Sequence, residues 1–170
     1  NYLSRTFGSG NRRTWTWSGW CKRTLLTGQQ ILMSNDTAAN NENRLQFRFI
    51  DVNLLLAGQT TPYRRTNAPY EDMSAWLRVM IHYQSGASDP VKIYVNGETV
   101  SSFSSSIDPS GDLIWNSNTL HKIGSDLGGV GSGSHFHGYL ANIYFIDGQA
   151  LEPSALTETV NGVLIPKQYE

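Results

Sequence analysis

The residue types able to do chemistry are few, and their spacing excludes most reactions. Cleaving a glycosidic bond needs two carboxyl groups held on either side of it, one of them kept protonated by its surroundings. The nearest candidates, Glu71-Asp72 and Glu42, are adjacent or isolated in loop-like sequence, and no strand carries alternating acids. No Gly-x-Ser-x-Gly elbow offers a nucleophile for acyl transfer. The expectation is a chain without catalysis. His135-Phe136-His137 sets two imidazoles on one side of an extended segment, a spacing that can bite one zinc ion, but no third ligand accompanies them. The single cysteine, Cys21, excludes an internal disulfide framework, and its apolar surroundings suit a small buried hydrophobe.

Binding chemistry is better represented. A sugar presents an apolar ring face, which an aromatic side chain covers, and pairs of hydroxyls, which planar amides, carboxylates or guanidinium groups engage. Two loop-like stretches carry that mixture: Tyr63-Arg64-Arg65 with Asn67 and Tyr70, and Trp115-Asn116 with Asn118. Trp20 shares a strand face with Thr16, Ser18 and Lys22, where it either packs beneath a loop or offers a stacking platform. Tyr, Trp and Arg are also the residues that build protein interfaces, so an assembly role stands beside ligand binding.

These residues sit in a chain of 170 residues with 39% hydrophobic content, enough for the core of one domain over 1–170. The formal net charge is −1, and apart from the pairs Arg12-Arg13 and Arg64-Arg65 the basic residues are scattered, which excludes the footprint of a nucleic-acid binder. No apolar run approaches the roughly 18–20 residues that cross a bilayer as a helix, so membrane insertion of that kind is not expected. The chain begins at Asn1 rather than Met, as a processed product or a piece of a longer polypeptide would. Asn35-Asp36-Thr37 fits a glycosylation acceptor, a pattern too short to carry weight.

The elements that must position the candidates are nearly all strands. Trp15, Trp17 and Cys21 alternate with Thr16, Ser18 and Lys22. Leu45, Phe47 and Phe49 share a phase, as do Val52, Leu54 and Leu56. In Trp76 to Gln84 both phases are apolar, which places that strand in mid-sheet with both faces covered. Val91 to Val95 followed by Asn96-Gly97 reads as a hairpin, since both central turn residues need positive φ. A strict two-residue turn puts Glu98 opposite Val95 on the core face, so either Glu98 escapes at the sheet rim or a bulge shifts the register. Glu152-Pro153-Ser154-Ala155-Leu156 is the one persuasive helical turn. Many short strands at about 8–12 residue spacing predict an all-β, two-sheet antiparallel sandwich.

Three stretches in one order then resemble a known family. Thr14 to Lys22, Val91 to Gly97 and Phe136 to Leu151 are similar to the opening strand, the central hairpin and the closing strand of laminin-G-like, concanavalin A-like jelly rolls. Trp76-Leu77-Arg78-Val79 fits the strand before that hairpin. The resemblance implies a jelly-roll sandwich with a bulged hairpin register that turns Glu98 outward. It also implies calcium at a loop rim, for which Asp36, Asp112 and Asp126 lie in loops that could serve. Asn11 to Trp20 and Phe145 to Pro153 further resemble a branch found in structural proteins of tailed phages. That branch implies a virion or extracellular component, homo-oligomeric, that binds carbohydrate on a host surface or contacts other virion proteins.

Overall fold

A computed structural model describes residues 2–35, 45–58, 61–126 and 134–170. In chain order the strands are β1 (Leu3–Thr6), β2 (Thr14–Arg23), β3 (Gln29–Asn35), β4 (Leu45–Ile50), β5 (Asn53–Ala57), β6 (Pro62–Thr66) and β7 (Leu77–Gln84). They continue with β8 (Val91–Val95), β9 (Glu98–Thr99), β10 (Phe103–Ser106), β11 (Leu120–Ile123), β12 (Gly138–Asp147), β13 (Thr157–Val160) and β14 (Val163–Pro166). The predicted helical turn is present as a single 3-10 turn, Pro153–Ala155, with Pro at its start.

Two antiparallel sheets face each other. One has the order β1-β11-β3-β4-β5-β6-β10 and the other β12-β2-β7-β8-β9. The inner faces follow the two-residue period read from sequence: Trp15, Trp17 and Cys21 of β2 and Val79, Ile81 and Tyr83 of β7 meet Leu45, Phe47 and Phe49 of β4 and Leu54 and Leu56 of β5. Each such side chain is fully enclosed, and burying one contributes about 1.5–3 kcal/mol. Strand β7 is the middle of its sheet and is buried on both faces, as its doubly apolar pattern requires.

The outer face of β2, β7 and β8 is met by the chain after β12 at Thr16, His82 and Tyr94. Thr16 Oγ1 donates to the Gln149 carbonyl and accepts from the Leu151 amide. His82 Nδ1 donates to the Leu151 carbonyl at 2.8 Å, and Tyr94 Oη donates to Glu152 at 2.8 Å. Burial holds the His82 pKa below its ordinary value, consistent with that covered position. After the 3-10 turn β13 pairs with β14, Thr157 opposite Pro166 and Val160 opposite Val163, although Thr157 to Val160 lacks a buried apolar phase.

The hairpin departs from the bulged register expected from the family resemblance. Val95 pairs directly with Glu98 and Tyr94 with Thr99, around Asn96 at φ 51° and Gly97 at φ 87°. The turn is therefore the strict two-residue type. Glu98 avoids the core because β9 is a two-residue edge strand and its side chain is exposed.

Candidate functional site

The Trp115-Asn116 stretch proves to be structural. Trp115 is 0% exposed, tilted against Trp15 with ring centroids 4.9 Å apart, and its Nε1 donates to the Leu45 carbonyl at 3.0 Å. An enclosed indole has no face to offer a sugar, which corrects the expectation of a stacking residue here. Asn116, also buried, sits at φ 65° and donates Nδ2 to the Asn11 carbonyl (3.1 Å) and to Asp147 Oδ1 (2.5 Å). Its own amide donates to Nε2 of His121, whose ring stacks on Phe7 at 4.2 Å. Three stretches remote in sequence are thus tied into one polar knot at this end of the sandwich. Asn118 alone of the three candidates is exposed.

Tyr63, Arg64 and Arg65 are not in a loop. They form β6, whose start pairs Pro62 with Ala57 toward the end of the sheet where Asn35 pairs with Leu45, so Tyr63 lies toward the knot and Asn67 and Tyr70 follow beyond the other end of the strand. Arg64 is 2% exposed, and its Nη2 donates to Asp89 (3.0 Å) and Asp108 (2.5 Å) while its guanidinium lies 5.7 Å from the Phe103 ring centroid. Its donors are engaged in holding two loops together, which removes it as a sugar ligand. Tyr63 and Arg65 are half-buried.

The metal candidates do not converge. Asp112 is paired with Arg12 and Arg13, and Arg13 holds its carboxyl below the usual range. Asp126 is buried and accepts from Gln46 Nε2 at 2.8 Å. His135 and His137 are exposed at the approach to β12. Among the described residues no three His, Cys, Asp or Glu side chains come together as a metal site. Asp36, Glu42 and the Asn35-Asp36-Thr37 acceptor depend on residues outside those described.

At the end opposite the knot the structure assembles what neither sequence stretch alone contains. A cleft of about 280 Å³ is lined by Cys21, Arg23, Pro69, Tyr70, Glu71, Asp72 and Leu77. Its walls are the ends of β2 and β7 and the loop following β6. Arg23 builds it: the guanidinium lies 4.2 Å from the Phe49 ring centroid and donates to the carbonyls of Asp51 and Tyr70, fixing the loop against the sheet. Those donors satisfy backbone oxygens much as a bound cation would, while burial lowers the arginine's pKa. Gly138 closes the neighbouring edge at φ 146°, where a Cβ would collide with the Lys22 carbonyl.

The cleft combines one aromatic ring, two carboxylates and an apolar floor. Asp72 Oδ1 accepts from the Ser74 hydroxyl (2.6 Å) and amide (2.7 Å), bonds that keep its pKa below the ordinary value. It is a fixed acceptor. Tyr70 is half-buried, and its amide donates to Val52. Cys21 at the floor is held as the thiol, its pKa pushed by burial to about 12, so it is no nucleophile. In sequence Glu71-Asp72 are only adjacent acids in a loop-like stretch, and Tyr70 falls near Tyr63. The missing signal was Arg23, a charged residue ending an apolar strand with no acid beside it.

Comparisons with known proteins bear on the fold. No curated protein matches the chain. Domain 4 of the extracellular arabinanase AbnA from Geobacillus stearothermophilus, solved with arabinotriose, aligns with a TM-score of 0.65 at 20% identity, over 90% of this chain and 69% of that one. The CBM40 of the Ruminococcus gnavus IT-sialidase aligns at 0.60 and 13%, covering 91% of this chain and 93% of its own. A heptameric SAP-like pentraxin from Limulus polyphemus aligns at 0.57 and 15%, over 85% and 68%. At such identities the likeness is one of fold. No helix among the described residues is long and apolar enough to cross a membrane. A family model matches residues 2–156, and the chain belongs to the concanavalin A-like lectin/glucanases superfamily.

Proposed function

We propose that this domain is a non-catalytic carbohydrate-binding module whose ligand enters the cleft between Tyr70, Asp72 and Leu77. The carrying observation is the cleft itself, where an aromatic ring, an acceptor fixed by Ser74 and an apolar floor meet at one end of the sandwich. Its volume, about 280 Å³, falls just under the usual range for small-molecule pockets of about 300–1,000 Å³, which suits one sugar unit better than a buried chain. Solved structures of similar fold include a domain in complex with arabinotriose and a sialidase CBM40 bound to α2,3-sialyllactose, which supports the ligand class. Non-catalytic action is supported by the acids: Asp72 is held by Ser74, and Asp89 and Asp108 share one arginine. Neither arrangement supplies a proton donor facing a carboxylate partner.

The wording of Asn11 to Trp20 and Phe145 to Pro153 supports a place in a phage virion, acting outside the cell on a host-surface glycan. A glycan array with the purified domain tests the reading. Binding should be saturable and should weaken at least tenfold in Tyr70→Ala and Asp72→Ala, with Tyr63→Ala unchanged. A blank array sinks the proposal.

A second reading, assembly without glycan binding, is favoured by one feature. An apolar groove of about 250 Å³ between the edge strands β1 and β12 is lined by Leu3, Ile123, Leu140 and Ile143, and Leu3 is 71% exposed. If that groove is a subunit contact, Leu3→Asp should dissociate an oligomer seen by light scattering.

A further inference from the structure

The chain after β12 covers the outer face of the five-stranded sheet near Thr16, His82 and Tyr94 and leaves one corner open. The register specifies what lies there. Cys21 and Leu140 are paired and face the core, so their strand neighbours Lys22, Tyr139, Trp20 and Ala141 face outward. Tyr139 stands opposite Lys22, and Trp20 stands between Ala141 and Arg78. Trp76 precedes Leu77, the partner of Cys21, and so reaches the same row as Lys22. Tyr139 is 63% exposed and Trp76 42%. Two large aromatic residues therefore stay exposed, their backbones two strand spacings or about 10 Å apart, with Lys22 on the strand between them.

The cations at this corner have no direct ion pair among the described residues. Arg78 is 3% exposed, forms no ion pair with a described residue, and its Nε has no hydrogen-bond partner. Its other bonds go to neutral oxygens, Ser18 Oγ and the Val79 carbonyl at 3.2 Å. Lys22 also lacks an ion pair among the described residues, although the Asp72 carboxylate at the cleft mouth feels its charge. Exposed aromatic faces beside cations that have no direct ion-pair partner among the described residues are complementary to a ring that carries an anion.

We propose that the Trp76–Lys22–Tyr139 corner is a second subsite, which takes an anionic sugar unit with its ring against the aromatic side chains and its carboxylate or sulfate at Lys22, over the positive field of Arg78. This rests on the carbohydrate-binding reading above and adds the class of sugar and a surface distinct from the cleft. Carboxylate and sulfate share the chemistry, so both are tested.

The experiment titrates the domain with trigalacturonate, a sulfated carrageenan tetrasaccharide and neutral arabinotriose, read by tryptophan fluorescence and calorimetry. At least one anionic probe should bind. Its affinity should fall at least tenfold in Trp76→Ala and in Tyr139→Ala and about threefold in Lys22→Gln, and it should weaken with added salt; Lys22→Arg should retain it. These side chains are solvent-exposed or rim-placed, and an unchanged urea midpoint verifies folding. Which anionic probe binds identifies the charged group. Absence of binding by both anionic probes, or binding indifferent to Trp76→Ala and Tyr139→Ala, overturns the subsite, as does a change in oligomeric state alone. If a neutral glycan still binds and responds to Asp72→Ala, only the subsite has failed. Loss of all glycan binding sinks the cleft as well.

Discussion

Asn116 Nδ2 lies 2.5 Å from Asp147 Oδ1, joining the loop before β11 to the last residue of β12. The same Asp147 oxygen accepts the Asn11 amide at 2.8 Å, so one carboxylate gathers the entry to β2 as well. Because Asn116 adopts φ 65°, replacing it removes two hydrogen bonds and, for alanine, adds left-handed backbone strain. Asn116→Ala should cost about 3 kcal/mol, and Asn116→Gly about 1 kcal/mol less. Urea unfolding with an unchanged slope would establish that the difference lies in stability.

Trp115 separates packing from binding. Its enclosed ring and its Nε1 bond to Leu45 predict that Trp115→Ala destabilises by about 3–5 kcal/mol. The fraction that remains folded should bind any glycan ligand with unchanged affinity. Calorimetry on that variant below its melting temperature checks this, and a specific loss of affinity would return Trp115 to the binding surface.

His121 makes stability depend on pH. Burial pulls its pKa from 6.5 down to about 4, and the ring is held neutral, Nδ1–H donating to the Thr119 carbonyl and Nε2 accepting from Asn116. The unfolded chain therefore binds more protons between those two values. The stabilisation is complete above the unfolded pKa, is lost progressively as pH falls, and is gone below the folded one. Between about pH 7 and 5 the loss should be about 2 kcal/mol. His121→Gln, though less stable throughout, should show a flatter profile in urea midpoints over that window.

Arg64 bridges two loops through Asp89 and Asp108, whose side chains are 52% and 59% exposed. Solvent screens the carboxylate ends, so Arg64→Met should cost about 1–2 kcal/mol rather than the full penalty of a buried pair. The loss should shrink at high salt, where the wild-type pairs are already weakened. Glycan affinity at the opposite end of the sandwich should be unaffected, as calorimetry on the folded variant would show.

What the sequence determined by itself is what a local period can encode. The alternation of Trp15 and Trp17 with Thr16 and Ser18, the doubly apolar β7 and the Asn96-Gly97 turn are each written within ten residues, because side-chain direction along a strand depends on the backbone alone. Sheet class and core followed. The tertiary structure decided the sites, because loops have no period, and a loop residue is buried or exposed according to what returns over it. Trp115 looked like a platform until Trp15 and Leu45 enclosed it, and Arg64 looked like a ligand until Asp89 and Asp108 reached it. Tyr63 and Tyr70 are seven positions apart yet occupy opposite ends of the molecule, since β6 runs between them. Conversely Lys22 and Tyr139, more than a hundred residues apart, become cross-strand neighbours only when β12 pairs with β2. That pairing is long-range, and it creates both the cleft's edge and the aromatic corner beside it.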